Sequence, residues 1–457
     1  MQFHPRYQKI LICLLSSLAS FFISALILRN GIGAWPDAWS FWEGSVSLIE
    51  KHSYSYLSGK HIAYWPPLFP LFLAVFQAVL SQTGQALAMA MSACSGLSTF
   101  VWSLYVFKIF EAEGKIESST ALVASLIFVP LFVPLSCTLL SSNSLELFFL
   151  GLLFYRIACL SDRQTAKLVF KDSIIIGLIL CGAMLTHNSC IVFLAATMIV
   201  FFFAAGGFPK QRLWACGVIF FISFIPWISI RHLLGQGGSH QLAGGILPVL
   251  HYVKQSLYTV GVFFISTASV LVQSLVGFGI LTLILCVFVI CFRSVFFIRS
   301  RLCISLSLIS FAGFFVLVNL TPLPNGLDGR YILYLPLAVM PPLFLWAKDR
   351  MMVMVFLIFL STVVSGARIT QRVWHGGTTP LTSQANEQSP KIIYCRYFLS
   401  ANQEATVPQG FIRITPPVYP WGDHWMKNMP WTETGAVVTL FFTPTNENSS
   451  TLIKPNR

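Results

Sequence analysis

Charged residues are scarce in this sequence: they fill 10% of its 457 positions, against about a quarter in a soluble domain. With 56% hydrophobic residues and a mean hydropathy of +0.74, the chain suits a bilayer and not water. CxxC pairs and zinc-type Cys/His spacings are missing, so neither a disulfide framework nor a zinc site is expected. Ten of the eleven cysteines, all but Cys395, lie in or beside apolar runs, where a thiol serves as a small apolar filler. No nucleotide-binding fingerprint occurs, the glycine-rich stretch from Arg231 to Gly245 included; that stretch reads as a lid or as a plain linker. Ionisable groups inside the apolar runs are few and sit near the run ends, as Glu146, Arg156 and His187 do. Ion-coupled transporters place such groups at mid-membrane. The net charge of +13 points towards nucleic acid. Its basic residues, however, are spread over short loops between apolar runs, so no continuous basic face forms and no nucleic-acid partner is expected.

What fills the chain is a series of apolar runs: 10–28, 86–107, 119–140, 144–160, 173–187, 188–205, 213–230, 276–292, 302–321, 330–346 and 351–366. They predict an all-α integral membrane protein with about eleven transmembrane helices, within a range of about 10–13. Arg6 and Lys9 before the first run imitate a signal peptide. That run is long enough to span, and no small-residue cleavage site follows, so it reads as a retained helix. Two further stretches, 67–81 and 257–275, are broken by Pro66, Pro67 and Pro70 and by Ser266, Thr267 and Ser269. They are expected to be exoplasmic interfacial helices. With neither crossing, 15 of the 29 basic residues share the side of the N-terminus, six face the opposite side, and eight fall in the tail. The positive-inside bias then makes the N-terminus cytoplasmic and the C-terminus exoplasmic, in a bacterial inner membrane or a plasma membrane. The expected division is a transmembrane domain over 1–366, with its first exoplasmic loop at 29–66, and an exoplasmic tail or small domain over 367–457. Within the tail, Ala436 to Thr443 reads as a strand.

The first loop carries the residues with chemistry. It reads Trp35-Pro36-Asp37-Ala38-Trp39-Ser40-Phe41-Trp42-Glu43 and runs on through Tyr64 to Trp65-Pro66-Pro67-Leu68-Phe69-Pro70-Leu71. A carboxylate at the membrane surface can accept a proton from an alcohol or amine beside it. Asp37 also suits the cap of a short helix beginning at Ala38. Arg330, followed by Tyr331, suits a phosphate, and equally a snorkelling anchor at a helix start.

The order of these motifs resembles the GT-C superfamily of membrane glycosyltransferases, in the style of the dolichyl-phosphate-mannose protein mannosyltransferases and the lipid A aminoarabinose transferases. The likeness rests on an aspartate behind the first span, then Tyr64-x-Pro66-Pro67-Leu68-x-Pro70-Leu71, Ser142-Asn143-Ser144-Leu145-Glu146, and Gly329-Arg330-Tyr331. It implies inverting transfer of a sugar from a polyprenyl-phosphate donor to a glycan, lipid or protein acceptor. Asp37 is then the general base, and Arg330, Tyr331 and His187 hold the donor phosphate. Glu43, Tyr64, Asn143 and Glu146 line the substrate. No cofactor is implied, and Asp37 with Pro36 and Ala38 as neighbours is a poor seat for a divalent metal. The departures are this missing acidic neighbour and Asn143 where relatives carry Glu. They keep open an inactive scaffold, and a lipid or glycan transporter without transferase chemistry stands as the alternative from another class.

Overall fold

The structure is a computed structural model. It describes residues 5–28, 32–33, 36–55, 62, 65–80, 83–112, 140–161, 170–204, 209–233 and 301–320, isolated positions within 122–133 and 271–282, and four short strands between 392 and 442. The described helices are α1 (Pro5–Ile27), α2 (Pro36–Glu50), α3 (Leu68–Val79), α4 (Thr83–Ala112), α5 (Asn143–Ser161), α6 (Phe170–Thr186), α7 (Ile191–Ala204), α8 (Pro209–Leu233) and α9 (Arg301–Leu320). Four of them are long and apolar enough to cross a membrane, over Tyr7–Ile27, Ala86–Glu111, Asn143–Leu160 and Pro209–Leu233.

Burial follows the rule of lipid and not of water. On α1, Cys13, Ser16, Ser20 and Ser24 are buried, while Leu11, Leu15, Phe22 and Leu26 are exposed. On α8, Ala215, Ile219, Ser223 and Trp227 recur every four residues on the inner face, and Leu213, Trp214 and Phe221 point outwards. Small and polar residues inside with large apolar residues outside is how helices pack in a bilayer, where close backbone approach and hydrogen bonds replace the hydrophobic drive. The chain is an integral membrane protein.

Of the predicted runs, 10–28, 86–107, 144–160, 173–187, 188–205, 213–230 and 302–321 fall on described helices. Runs 119–140 and 276–292 are described only at isolated positions; 330–346 and 351–366, and the expected boundary at 366, lie outside the described residues. The stretch at 67–81 forms α3, only 12 residues long. At about 1.5 Å per residue it is about 18 Å long, too short for a hydrocarbon core of about 30 Å.

The chain forms two compact units, neither continuous in sequence. The first comprises 1–14, 100–126 and 145–356. In it, the Trp102 indole N–H donates to the Leu147 carbonyl at 3.0 Å, and Tyr105 meets the Phe154 ring further along, so α4 and α5 run parallel. Gly151 makes this approach possible, since a Cβ there would lie 2.5 Å from Val101. Helices α5 and α6 are antiparallel, for Gly182 lies against Phe149 while Asp172 pairs with Arg156. Helix α8 returns parallel to α6, with Gly177 against Ile222 and Asn188 bonded to Trp227. Helix α9 begins where the Cys303 thiol reaches the Phe154 carbonyl and rises until Phe314 meets Phe193 at 5.3 Å. One end of this unit therefore gathers the start of α5, the α6–α7 turn and the end of α8. The other gathers Lys108, Arg156 and Lys171, basic residues that charge counting put together.

The second unit comprises 15–99, 127–144 and 357–457. Here Ser17 donates to the Gly96 carbonyl at 2.8 Å and Ser20 shares a 2.7 Å bond with Ser95, which makes α1 and α4 antiparallel. The tail strands are β2 (Ile392–Ile393), β3 (Tyr397–Phe398), β4 (Ile412–Ile414) and β5 (Leu440–Phe442). The last falls inside the predicted 436–443. β5 lies between β2 and β4 in an antiparallel sheet. β3 pairs instead with β1 (Ile32–Gly33), next to α1.

Candidate functional site

Two clusters carry the residues singled out by sequence, one in each unit. In the second unit, α2 starts at Pro36, two residues earlier than the expected Ala38. The pyrrolidine ring presets the helical φ, and its missing N–H lies where no intrahelical partner exists. Asp37 thus stands inside the first turn and is not the cap residue. A negative charge is favoured there by the helix dipole and the unsatisfied N–H groups.

Helix α2 packs on α3 through aromatic edges. Phe41 meets Phe69 at 5.0 Å and Trp65 at 5.2 Å, both edge-on. Further along, the Ser45 hydroxyl contacts the Gln77 side-chain oxygen at 3.2 Å. Gly44 faces Pro70 of α3, and a Cβ there would lie 2.8 Å from the Tyr54 ring and 2.9 Å from Ile62 in the segment between the two helices. The Tyr54 hydroxyl in turn donates to the Trp65 carbonyl at 2.9 Å and so fastens the segment after α2 to the Pro66-Pro67 entry of α3. Helix α2 ends at Glu50, and His52 just beyond it, with a φ of 51°, turns the chain away. Ser47 then bonds the hydroxyls of Ser53 and Ser55 at 3.3 and 2.8 Å. Glu43 is 1% exposed on the packed face of α2. Tyr64 lies outside the described residues, as do Arg330 and Tyr331.

At the start of α5, Asn143 is the first helical residue and is buried. The Ser141 hydroxyl donates to its side-chain oxygen at 2.8 Å, and the Ser98 hydroxyl donates to the Ser144 carbonyl at 3.1 Å. One turn inside, and within the first unit, Glu146 is fully buried and accepts the Cys190 thiol at 2.9 Å. Cys190 closes a 3-10 turn, Asn188–Cys190, that joins α6 to α7. His187 precedes this turn in extended conformation and caps it, sharing a hydrogen bond with the Ser189 hydroxyl and accepting the Ser189 N–H at 3.4 Å. The Trp227 indole donates to the Asn188 side-chain oxygen at 3.1 Å. Above that ring stands the Arg231 guanidinium, 4.8 Å from its centroid, a cation–π arrangement. Glu146, Cys190, His187, Asn188, Trp227 and Arg231 thus form one connected polar cluster at one end of the unit.

Sequence reasoning named Glu146 and His187 here but missed Cys190, Trp227 and Arg231. Only Arg231 gave a signal, as a basic residue closing an apolar run. Among the described residues no group of three or more His, Cys, Asp or Glu side chains is placed to hold a metal ion.

No family model matches the chain, and no curated protein matches it. Among solved structures, it is similar to the crystal structure of ArnT from Cupriavidus metallidurans in the apo state, at 11% sequence identity and a TM-score of 0.45. The match covers 74% of this chain, which spans 59% of the ArnT chain.

Proposed function

We propose that the chain is a GT-C-type membrane glycosyltransferase, moving a sugar from a polyprenyl-phosphate donor to a glycan, lipid or protein acceptor at the exoplasmic face. The observation that carries the reading is the setting of Asp37. It opens α2, which follows the first span within a few residues and packs on a helix too short to cross. A carboxylate in that position stays at the membrane surface, where a lipid-linked sugar and a polar acceptor can meet.

In this reading Asp37 takes the proton from the acceptor O–H or N–H as its lone pair attacks the anomeric carbon. The bond from that carbon to the phosphate oxygen breaks on the opposite face. The lipid phosphate leaves with the electron pair, and the configuration inverts. Arg330 supports the growing charge on the phosphate with a planar, permanently charged donor fork; Tyr331 and His187 assist it. Glu43, Tyr64, Asn143 and Glu146 stand as candidate substrate contacts. Of these, Glu146 acts together with the thiol it holds.

Lipid mass spectrometry on the purified protein tests the reading without a guess at the sugar. Wild type is expected to carry a polyprenyl phosphate, bare or glycosylated, that Arg330→Ala loses. Asp37→Asn is expected to keep the lipid while transfer falls about 10²–10⁴-fold. Wild-type transfer by a folded Asp37→Asn protein would sink the mechanism. Absence of any polyprenyl lipid, with other bilayer lipids retained, would turn attention to transport.

A further inference from the structure

The segment between α1 and α2 is short, and its start and finish are held differently. Helix α2 is fixed along its length by Phe41, Gly44 and Ser45 against α3 and its approach. Before Pro36, the backbone ladder described for this segment is that of β1, and its partner is not a neighbour in sequence. Ile32 stands opposite Phe398 and Gly33 opposite Tyr397 in antiparallel register. Strand β3 follows β2 after only Tyr394, Cys395 and Arg396, yet it does not join the sheet that β2 makes with β5 and β4. The C-terminal region thus reaches the first loop through a strand set aside from its own sheet.

Only two residues, Ala34 and Trp35, separate β1 from Pro36. Proline disfavours helical backbone in the residue before it and has a fixed φ itself. Holding β1 therefore holds the first turn of α2. A two-residue ladder is marginal alone, so it steadies this segment only because α1 and α2 anchor both sides.

We propose that strand Tyr397–Phe398 is a positioning element of the first-loop site, pairing with Ile32–Gly33 so that the C-terminal region fixes the start of the helix that carries Asp37. This rests on the transferase reading for its consequence, though not for the strand contact itself. The strand contributes backbone pairing, so its loss slows the step after donor binding and leaves donor binding intact.

The test uses the full-length protein in its own cells, where donor and acceptor are both present. In a Cys395→Ser background, Ile32→Cys with Phe398→Cys places two thiols on directly opposed Cα atoms, a separation that suits a disulfide. Ile32→Cys with Ser400→Cys is the off-register control. The aligned pair is expected to oxidise at least about fivefold more completely than the control. Equal yields overturn the strand contact. Separately, Tyr397→Pro with Phe398→Pro removes both backbone donors of β3. The glycosylated-to-bare ratio of the polyprenyl phosphate recovered with this variant is expected to rise at least about threefold, in the direction of Asp37→Asn, while Tyr397→Phe keeps the wild-type ratio. An unchanged ratio, or both lipid forms falling together as in simple destabilisation, overturns the positioning role. If wild type holds no polyprenyl lipid, the transferase reading fails and the positioning role falls with it; the cross-link alone then decides whether the strands pair.

Discussion

The two ends of the first unit treat charge in opposite ways. At one end, Glu111 sits between Lys9 at 2.8 Å and Lys108 at 3.5 Å, and Asp172 pairs with Arg156 across the α5–α6 contact. At the other, Glu146 accepts a thiol and Arg231 rests on an indole ring. Ion pairs at a membrane boundary neutralise the charges that anchor helices there. A guanidinium over an indole ring is held by the ring's negative face and not by a carboxylate. The first end joins its charges in ion pairs, and the second holds a carboxylate against a thiol and a guanidinium against an aromatic face.

This contrast can be broken at each end. The largest stability effect is expected from Asp172→Ala, because Asp172 is 3% exposed and its loss leaves Arg156, itself 22% exposed, without that carboxylate. A cost of about 3 kcal/mol, the lower end of the range for a buried pair, is expected in reversible denaturant titration in detergent. The glycosylated-to-bare lipid ratio should not change. Trp227→Phe removes the indole donor to Asn188 and is expected to cost about 1 kcal/mol in the same titration. Here the recovered polyprenyl lipid should fall as well, because the 187–190 turn loses its hydrogen bond to α8. An unchanged lipid yield would erase the functional distinction between the ends. Glu111→Gln should cost least, about 0.5 kcal/mol, as the partly exposed pair with Lys9 gains little over solvation.

Much of the helical organisation was legible in the sequence because a bilayer imposes length and hydropathy residue by residue. The turn at 187–190 stands between two apolar runs, as predicted, since His187-Asn188 interrupts them and the backbone must close within a few residues. The proline-broken run at 67–81 yields α3, whose buried Phe69, Pro70, Leu73 and Ala74 line one face. The start of α2 was misread by two residues. Asp after Pro suits a cap, yet Pro36 itself is a favoured first helical residue, and sequence alone does not rank the two. Cys190 was legible only as an apolar filler, because a thiol's partner is invisible until Glu146 on another helix is placed beside it.

The sequence by itself determined that this chain lives in a membrane, where its main helices run, and which basic residues gather at one end. These follow from local free energies of transfer and from alternation along the chain. Only the tertiary structure decided that α4 and α5 run parallel, that Gly44 faces α3 and Gly151 is a crossing point, that Trp227 carries Arg231 over Asn188, and that the tail pairs with the first loop. Each of those depends on two segments far apart in sequence meeting at van der Waals or hydrogen-bond distance, and no periodicity within either segment encodes its partner.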